Sequence, residues 1–167
     1  MIEVECSRDN STMSDEQDLG QTAIELAYAF PDFLGLATGV DGTNPVPDEV
    51  ALNERVLGFL NGFGRTLIRI ASVRLNIDSE LHGVITYRAI ANVMNRFGEL
   101  AIFERAIEHQ LRDPSDDFLM YQDIGMQYLR ATTTGGNQTT VEQILKMMRQ
   151  DVAELLDANG LNPIPKH

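Results

Sequence analysis

The sequence has a single cysteine, Cys6, among 167 residues. One thiol forms no intramolecular disulfide and supplies no cysteine-based metal site. Its place in a polar N-terminal stretch fits an ordinary free tail thiol. No stretch approaches the roughly 18 apolar residues that a membrane-spanning helix needs. The opening Met1-Ile2-Glu3-Val4-Glu5-Cys6 carries acids where a secretory leader carries basic residues and then an apolar core. A cytoplasmic protein with no membrane partner is expected.

Histidine is scarce too, limited to His82, His109 and His167. A di-iron bundle needs carboxylates in Glu-x-x-His spacing, and no such pair occurs. Glu104 stands five residues before His109 and Glu108 directly precedes it, spacings that point side chains to different faces of a helix. Nucleophile elbows, phosphate loops and dinucleotide fingerprints are absent. Gly135-Gly136 lies between two helical stretches with no strand before it and no lysine. Asp116 and Asp117 open a helix, where the dipole favours acids, and neither has a sequence partner to shift its pKa. The expectation is a protein that is not an enzyme and has neither catalytic residues nor metal ligands.

Positive charge is in short supply: 13 basic residues against 25 acids leave a net charge of −12. Such a surface repels nucleic-acid phosphates and anionic lipid. Arginine supplies 11 of the 13 bases, the side chain suited to planar carboxylate contacts. Most of these arginines are expected to pair with the protein's own acids.

What the sequence does contain is helical periodicity, with no apolar–polar alternation of the kind a strand shows. Residues 1–13 read as a flexible tail and 14–167 as one all-α domain of five main helices. Ser14-Asp15-Glu16-Gln17 has the form of a capping box. The helix it opens, about 14–30, turns Leu19, Ala23, Leu26, Ala27 and Phe30 inward before Pro31. A glycine- and proline-rich loop is expected over 31–47. A second helix, 48–76, carries the stripe Leu52, Val56, Phe59, Leu60, Phe63, Leu67, Ile70 and Ala71. Gly58 and Gly62 lie four apart within it, on one face, where another backbone can come close. Residues 79–112 read as helical throughout, with Val84, Tyr87, Ile90, Ala91, Met94, Phe97, Ala101, Ile107 and Leu111 inward and a kink at Gly98. Asp113 is expected to cap the next helix, with Pro114 in its first position, running to about Arg130. Thr139-Thr140-Val141-Glu142 reads as a capping box for the last helix, which turns Ile144, Leu145, Met148, Val152, Leu155 and Leu156 inward. Asn159-Gly160-Leu161 ends it with a left-handed cap. The seven methionines and the tyrosines at 28, 87, 121 and 128 fit a core by default, with the lining of an apolar ligand pocket as the alternative.

Several segments, taken in order, resemble one family. Thr86-Tyr87-Arg88-Ala89-Ile90-Ala91, the turn Leu111-Arg112-Asp113-Pro114-Ser115, Gly125-Met126-Gln127-Tyr128 and Val141 to Met148 are similar to the phycobiliproteins, the allophycocyanin and phycocyanin subunits. The resemblance covers about Asn53 to Leu156 and implies a globin-like fold of steeply crossed helices. It makes the N-terminal helix a dimerisation element and the protein a homodimer. It also implies a ligand-binding set of Tyr87, Arg88, Met94 and Arg96. Met94 falls where the family's bilin-bearing cysteine stands, and the two arginines fall where relatives pair with bilin propionates. The departures are as informative. With no cysteine on that helix, covalent bilin attachment is excluded, and the family's bilin-holding aspartate is replaced near Phe97. A proximal histidine for haem is missing from 114–131. The sequence looks most like the bilin biosynthesis-associated globins. That resemblance implies a non-haem binding or scaffold protein in linear tetrapyrrole metabolism, whose partner is a non-covalently held bilin or a bilin-synthesis protein. The alternative is an interaction or regulatory module, such as a non-haem sensor globin or a phage-type assembly chaperone, with no tetrapyrrole role.

Overall fold

The computed structural model describes residues 19–31, 45–133 and 135–161. The expected tail 1–13 with Cys6, the 14–17 capping box and most of the 31–47 loop lie outside these residues. Among the described residues the fold is all-α, with no strand. Helix α1 covers 19–29, α2 is the single turn Asp48–Ala51, and α3 is Glu54–Leu75. A 3-10 turn, Ser79–Leu81, leads into α4, His82–Val93. Helices α5 (Leu100–Arg112), α6 (Asp116–Thr133) and α7 (Gln138–Ala158) complete the order. None of the described helices is long and apolar enough to cross a membrane.

Helices α3 and α6 form the spine, and their packing is the most extensive of any pair. Glycine makes it so. A Cβ at Gly58 would stand 2.5 Å from the Phe118 carbonyl oxygen, one at Gly62 2.0 Å from that of Gln122, and one at Gly125 2.2 Å from that of Phe59. The two backbones therefore touch over two turns, as the four-residue spacing of Gly58 and Gly62 implies. As α3 advances from Gly58 to Gly62, α6 advances from Phe118 to Gln122, so the helices run in the same sense. A bundle of strictly alternating up and down helices would run α3 and α6, three places apart, in opposite senses. Four-spaced rows on both helices are the pattern that generally gives crossings of about 50°.

Around this spine the apolar stripes close one core, to which every described helix contributes. Phe63 is its aromatic hub, 4.8 Å centroid to centroid from Phe30, just past the end of α1, and 5.8 Å from Tyr128 of α6. Most of the expected inward residues are buried, among them Ala23, Leu26, Phe30, Val56, Phe59, Leu60, Ile90, Met94, Ile107, Met148 and Val152. Ile70, Phe97, Ala101, Leu111 and Tyr28 are not; they face solvent. Periodicity places a side chain on a stripe but does not say where the stripe outruns its neighbours.

Helix boundaries differ from the sequence expectation where a polar side chain captures a backbone amide or a residue turns left-handed. The 48–76 helix breaks at Leu52-Asn53, because Asn53 accepts a hydrogen bond from the Arg55 amide (2.9 Å) and caps α3. The 79–112 helix breaks after Val93. Asn95 takes a left-handed conformation (φ 55°), the Arg96 amide bonds back to the Ala91 carbonyl (2.8 Å), and that of Asn95 bonds to Asn92 (3.1 Å). This is a Schellman stop with asparagine in the place glycine usually holds, so the break falls at Asn95 rather than Gly98. Ser115, not Asp113, caps α6 by accepting from the Phe118 amide (3.1 Å). Asn137, not Thr139, caps α7 by accepting from Thr140 (3.2 Å). The expected cap at the end of α7 forms: Gly160 has φ 70° and the Leu161 amide reaches the Leu156 carbonyl (2.7 Å).

Candidate functional site

The face of α4 that carries Arg88 also carries Ala91 and Asn92, three and four residues on. Opposite it, α1 presents Gly20, Ala23, Ile24, Ala27 and Tyr28. Three of these are small residues, and small side chains between two helices leave a gap. The gap is a pair of adjoining clefts of about 280 and 300 Å3 that share Ile24, Asn92 and Phe97 as walls. Each is close to the lower end of the ~300–1,000 Å3 usual for ligand pockets. Arg88 lines the first cleft and Tyr28 the second. Phe97 is 68% exposed and Tyr28 85% exposed. In a protein with 25 acids, Arg88 has no hydrogen bond or ion pair among the described residues. The surface thus offers apolar and aromatic walls with one unengaged planar cation.

The other residues of the expected ligand set go elsewhere. Tyr87 is buried on a different face of α4, and its hydroxyl accepts from Arg65 Nη2 (3.2 Å). Met94 is fully buried, and its carbonyl accepts from the Val46 amide (2.9 Å). Arg96 leaves the helix at the Asn95 turn, so it no longer shares a helical face with Arg88. Its guanidinium pairs with Glu99 on its own turn and with Asp48 of α2, and lies over the Phe103 ring at 5.7 Å. Above all the hydrogen bond to Glu99 raises the Arg96 pKa, and the same contact lowers that of Glu99. Arg96 is a strut between α2, the 94–99 turn and α5. Arg88 alone of the four reaches the cleft. Sequence reasoning missed Ile24, Asn92 and Phe97 as its walls; of the tyrosines it offered as pocket lining, Tyr28 is the one that stands there. The signal available was the run of small residues at steps of three and four on α1.

A larger cleft of about 480 Å3 opens on another flank of α1, lined by Leu19, Thr22, Leu75, Ile77 and the acids Glu25 and Asp78. It has no basic lining residue, so its field disfavours the anionic ligands that Arg88 favours. His82 contacts the Ile77 carbonyl at 3.4 Å, whereas His109 lies on the exposed face of α5. The described residues hold no group of three or more His, Cys, Asp or Glu placed to bind a metal. Asn61 of α3 is fully buried with neither amide atom hydrogen-bonded, and the Nε of Arg65, one turn on, is likewise unpaired.

One titratable cluster joins three helices. Arg55 Nε donates to Asp117 at 3.0 Å and its Nη1 lies 3.7 Å from Asp151 of α7. The Tyr121 hydroxyl donates to Asp151, and the Arg55 guanidinium sits over the Tyr121 ring at 5.6 Å. Burial, and then the Asp151 carboxylate, push the Tyr121 phenol up to about 12. A phenol held neutral that firmly is a clamp rather than a proton donor at neutral pH. Its contribution to stability is complete below the unfolded tyrosine pKa of about 10 and is lost as pH climbs through about 12. The melting temperature of the wild type should therefore fall along this alkaline limb, and Tyr121→Phe should flatten the fall. Some slope remains in the variant, because burial raises the Tyr128 phenol as well. An unchanged limb in Tyr121→Phe would remove the clamp from the account.

No protein-family model, no curated protein and no solved structure matches the chain. The phycobiliprotein resemblance therefore stands on the sequence segments that carry it.

Proposed function

We propose that the protein is a non-catalytic binding protein whose α1–α4 cleft takes an amphipathic anion, with linear tetrapyrroles as the ligand class. The single observation that carries this reading is Arg88, a cation with no described partner, set among Ile24, Asn92 and Phe97. A bilin combines an apolar, conjugated body with propionate carboxylates. Aromatic and aliphatic walls suit the first, and a planar guanidinium suits the second. The clefts are open, so a long ligand can lie along α1 rather than be enclosed. The resemblance of the 86–91 segment to the opening of the phycobiliprotein central helix points to the same ligand class. In this reading the protein is a non-haem, globin-like relative of those antenna subunits that holds its ligand without a covalent bond. Helix α1 then serves as one wall of the site as well as the element through which two copies would pair.

Titration of purified protein with biliverdin tests the proposal. A saturable change in the visible spectrum is expected, reversed by denaturant because no thioether tethers the pigment. Arg88→Ala should weaken binding at least about tenfold, since a charge-assisted hydrogen bond is worth about 1.5–3 kcal/mol and 1.4 kcal/mol is a factor of ten. Phe97→Ala should weaken it as well. Arg96→Ala is expected to lower the melting temperature and leave the Arg88-dependent affinity in place. No spectral change at a large excess of biliverdin would end the bilin reading. A stable complex with a defined protein partner, indifferent to tetrapyrroles, would instead favour the interaction-module reading, for which the exposed Tyr28 and Phe97 are the pertinent surface.

A further inference from the structure

The last turns of α3 run past the core they help to build. From Arg65 to Asn76 the helix carries three arginines and no acid, in a chain whose net charge is −12. Arg69, Ile70, Val73 and Arg74 are all exposed, Ile70 at 54% and Val73 at 89%. Steps of three and four put Ile70 and Val73 side by side, with Arg69 and Arg74 flanking them. The stripe is an apolar centre with a cation on either side, and neither arginine side chain has a described partner.

A stripe of the opposite sign lies on α6. Asp116, Leu119, Met120 and Asp123 are exposed at steps of three and four, an apolar centre between two acids. Asp116 has no described hydrogen bond or ion pair, and Asp123 accepts only from Gln127 Nε2 (2.7 Å). The two stripes cannot meet within one molecule. Helices α3 and α6 run in the same sense with Gly62 level with Gln122. The basic stripe therefore lies about a dozen residues further along the spine than the acidic one, roughly 18 Å at 1.5 Å per residue.

We propose that the chain associates with itself head to tail, the Arg69/Ile70/Val73/Arg74 stripe of one copy seated on the Asp116/Leu119/Met120/Asp123 stripe of the next. Complementary sign favours a second copy of this chain over an unrelated partner, since both halves of the contact are present on every molecule. The contact is heterologous, so it leaves a free stripe at each end and propagates until a ring closes or a filament forms. It uses neither the α1–α4 cleft nor the dimerisation face of α1, and it stands whether or not the cleft binds a bilin.

Sedimentation velocity of the full chain across a wide concentration range tests this. The weight-average mass should rise with concentration and fall as salt is added, because exposed charge pairs are screened. Arg69→Glu with Arg74→Glu, and separately Met120→Arg with Asp123→Arg, should each weaken association at least about tenfold, several surface pairs being lost and turned repulsive together. The second pair of changes leaves the Asp116 first turn and the Ser115 cap of α6 intact. The decisive arm mixes the two variants: the intact acidic stripe of one faces the intact basic stripe of the other, and the two reversed stripes are again opposite in sign, so association that neither variant shows alone should return on mixing. Val73→Ser, which changes no charge, should also weaken self-association and keeps the test open if a charge reversal unfolds the chain. A wild type that stays monomeric at every concentration, association indifferent to both stripes, or folded variants that do not combine on mixing would each overturn the proposal.

Discussion

Replacing Gly62 with alanine is expected to cost the fold about 3 kcal/mol or more, in the range reserved for severe overpacking. The added Cβ would stand 2.0 Å from the Gln122 carbonyl oxygen and 2.8 Å from its carbon. Both atoms belong to the α6 backbone, so no side-chain rotation relieves the clash. The helices have to separate, and the layer of Phe59, Phe63 and Tyr128 that closes around the crossing separates with them. Alanine's better helix propensity returns about 1 kcal/mol, too little to offset this. Gly125→Ala, 2.2 Å from the Phe59 carbonyl oxygen, and Gly58→Ala, 2.5 Å from that of Phe118, should act in the same direction. Gly98→Ala, which meets nothing within 4 Å, should be close to neutral. Urea denaturation of the four variants checks the order. A loss below about 1 kcal/mol for Gly62→Ala would mean that α3 and α6 are not in backbone contact.

Phe30→Ala should be nearly as damaging, and locally so. Phe30 is buried, packs tilted against Phe63 with centroids 4.8 Å apart and lies against Gly64, so its ring fastens α1 to the spine. Truncating a buried phenylalanine costs about 3–5 kcal/mol. Here the loss falls on the junction between α1 and everything else, because α3, α6 and α7 keep their mutual packing. Hydrogen exchange should show α1 amides losing protection while those in the middle of α3 and α6 keep theirs. Losing α1 also removes Ile24 and Tyr28 from the cleft, so biliverdin binding should disappear although Arg88 is untouched. Uniform loss of protection across the chain would contradict this division, as would binding that survives the release of α1.

The helical class, the apolar stripes and the close approach at Gly58 and Gly62 were legible because each depends on spacing within one segment. The cap at Asn159-Gly160-Leu161 was legible for the same reason. The breaks at Asn53 and Asn95 were not, because the apolar periodicity runs on through both. Only the competition of an asparagine side chain or a left-handed residue for backbone geometry ends the helix there. Of the expected ligand set, Arg88 reaches the cleft, whereas Tyr87, Met94 and Arg96 are engaged by Arg65, the core and the Asp48–Glu99 pair. An unbroken helix over 79–112 would keep Arg88 and Arg96, eight residues apart, near one face, and the Asn95 turn undoes that register. Phe97 was read as core because it continues the α4 stripe. The stripe leaves the helix at Asn95 and carries Phe97 out to the cleft wall.

The reading of the protein as a binding protein turns on where a ligand sits. Amide chemical-shift mapping during a biliverdin titration reports this directly. The account predicts that shifts concentrate at Gly20, Ile24, Tyr28, Arg88, Asn92 and Phe97, and that Arg88→Ala abolishes them at matched concentrations. Shifts centred instead on the acid-lined cleft at Glu25, Ile77 and Asp78, or no shifts at saturating pigment, would contradict it.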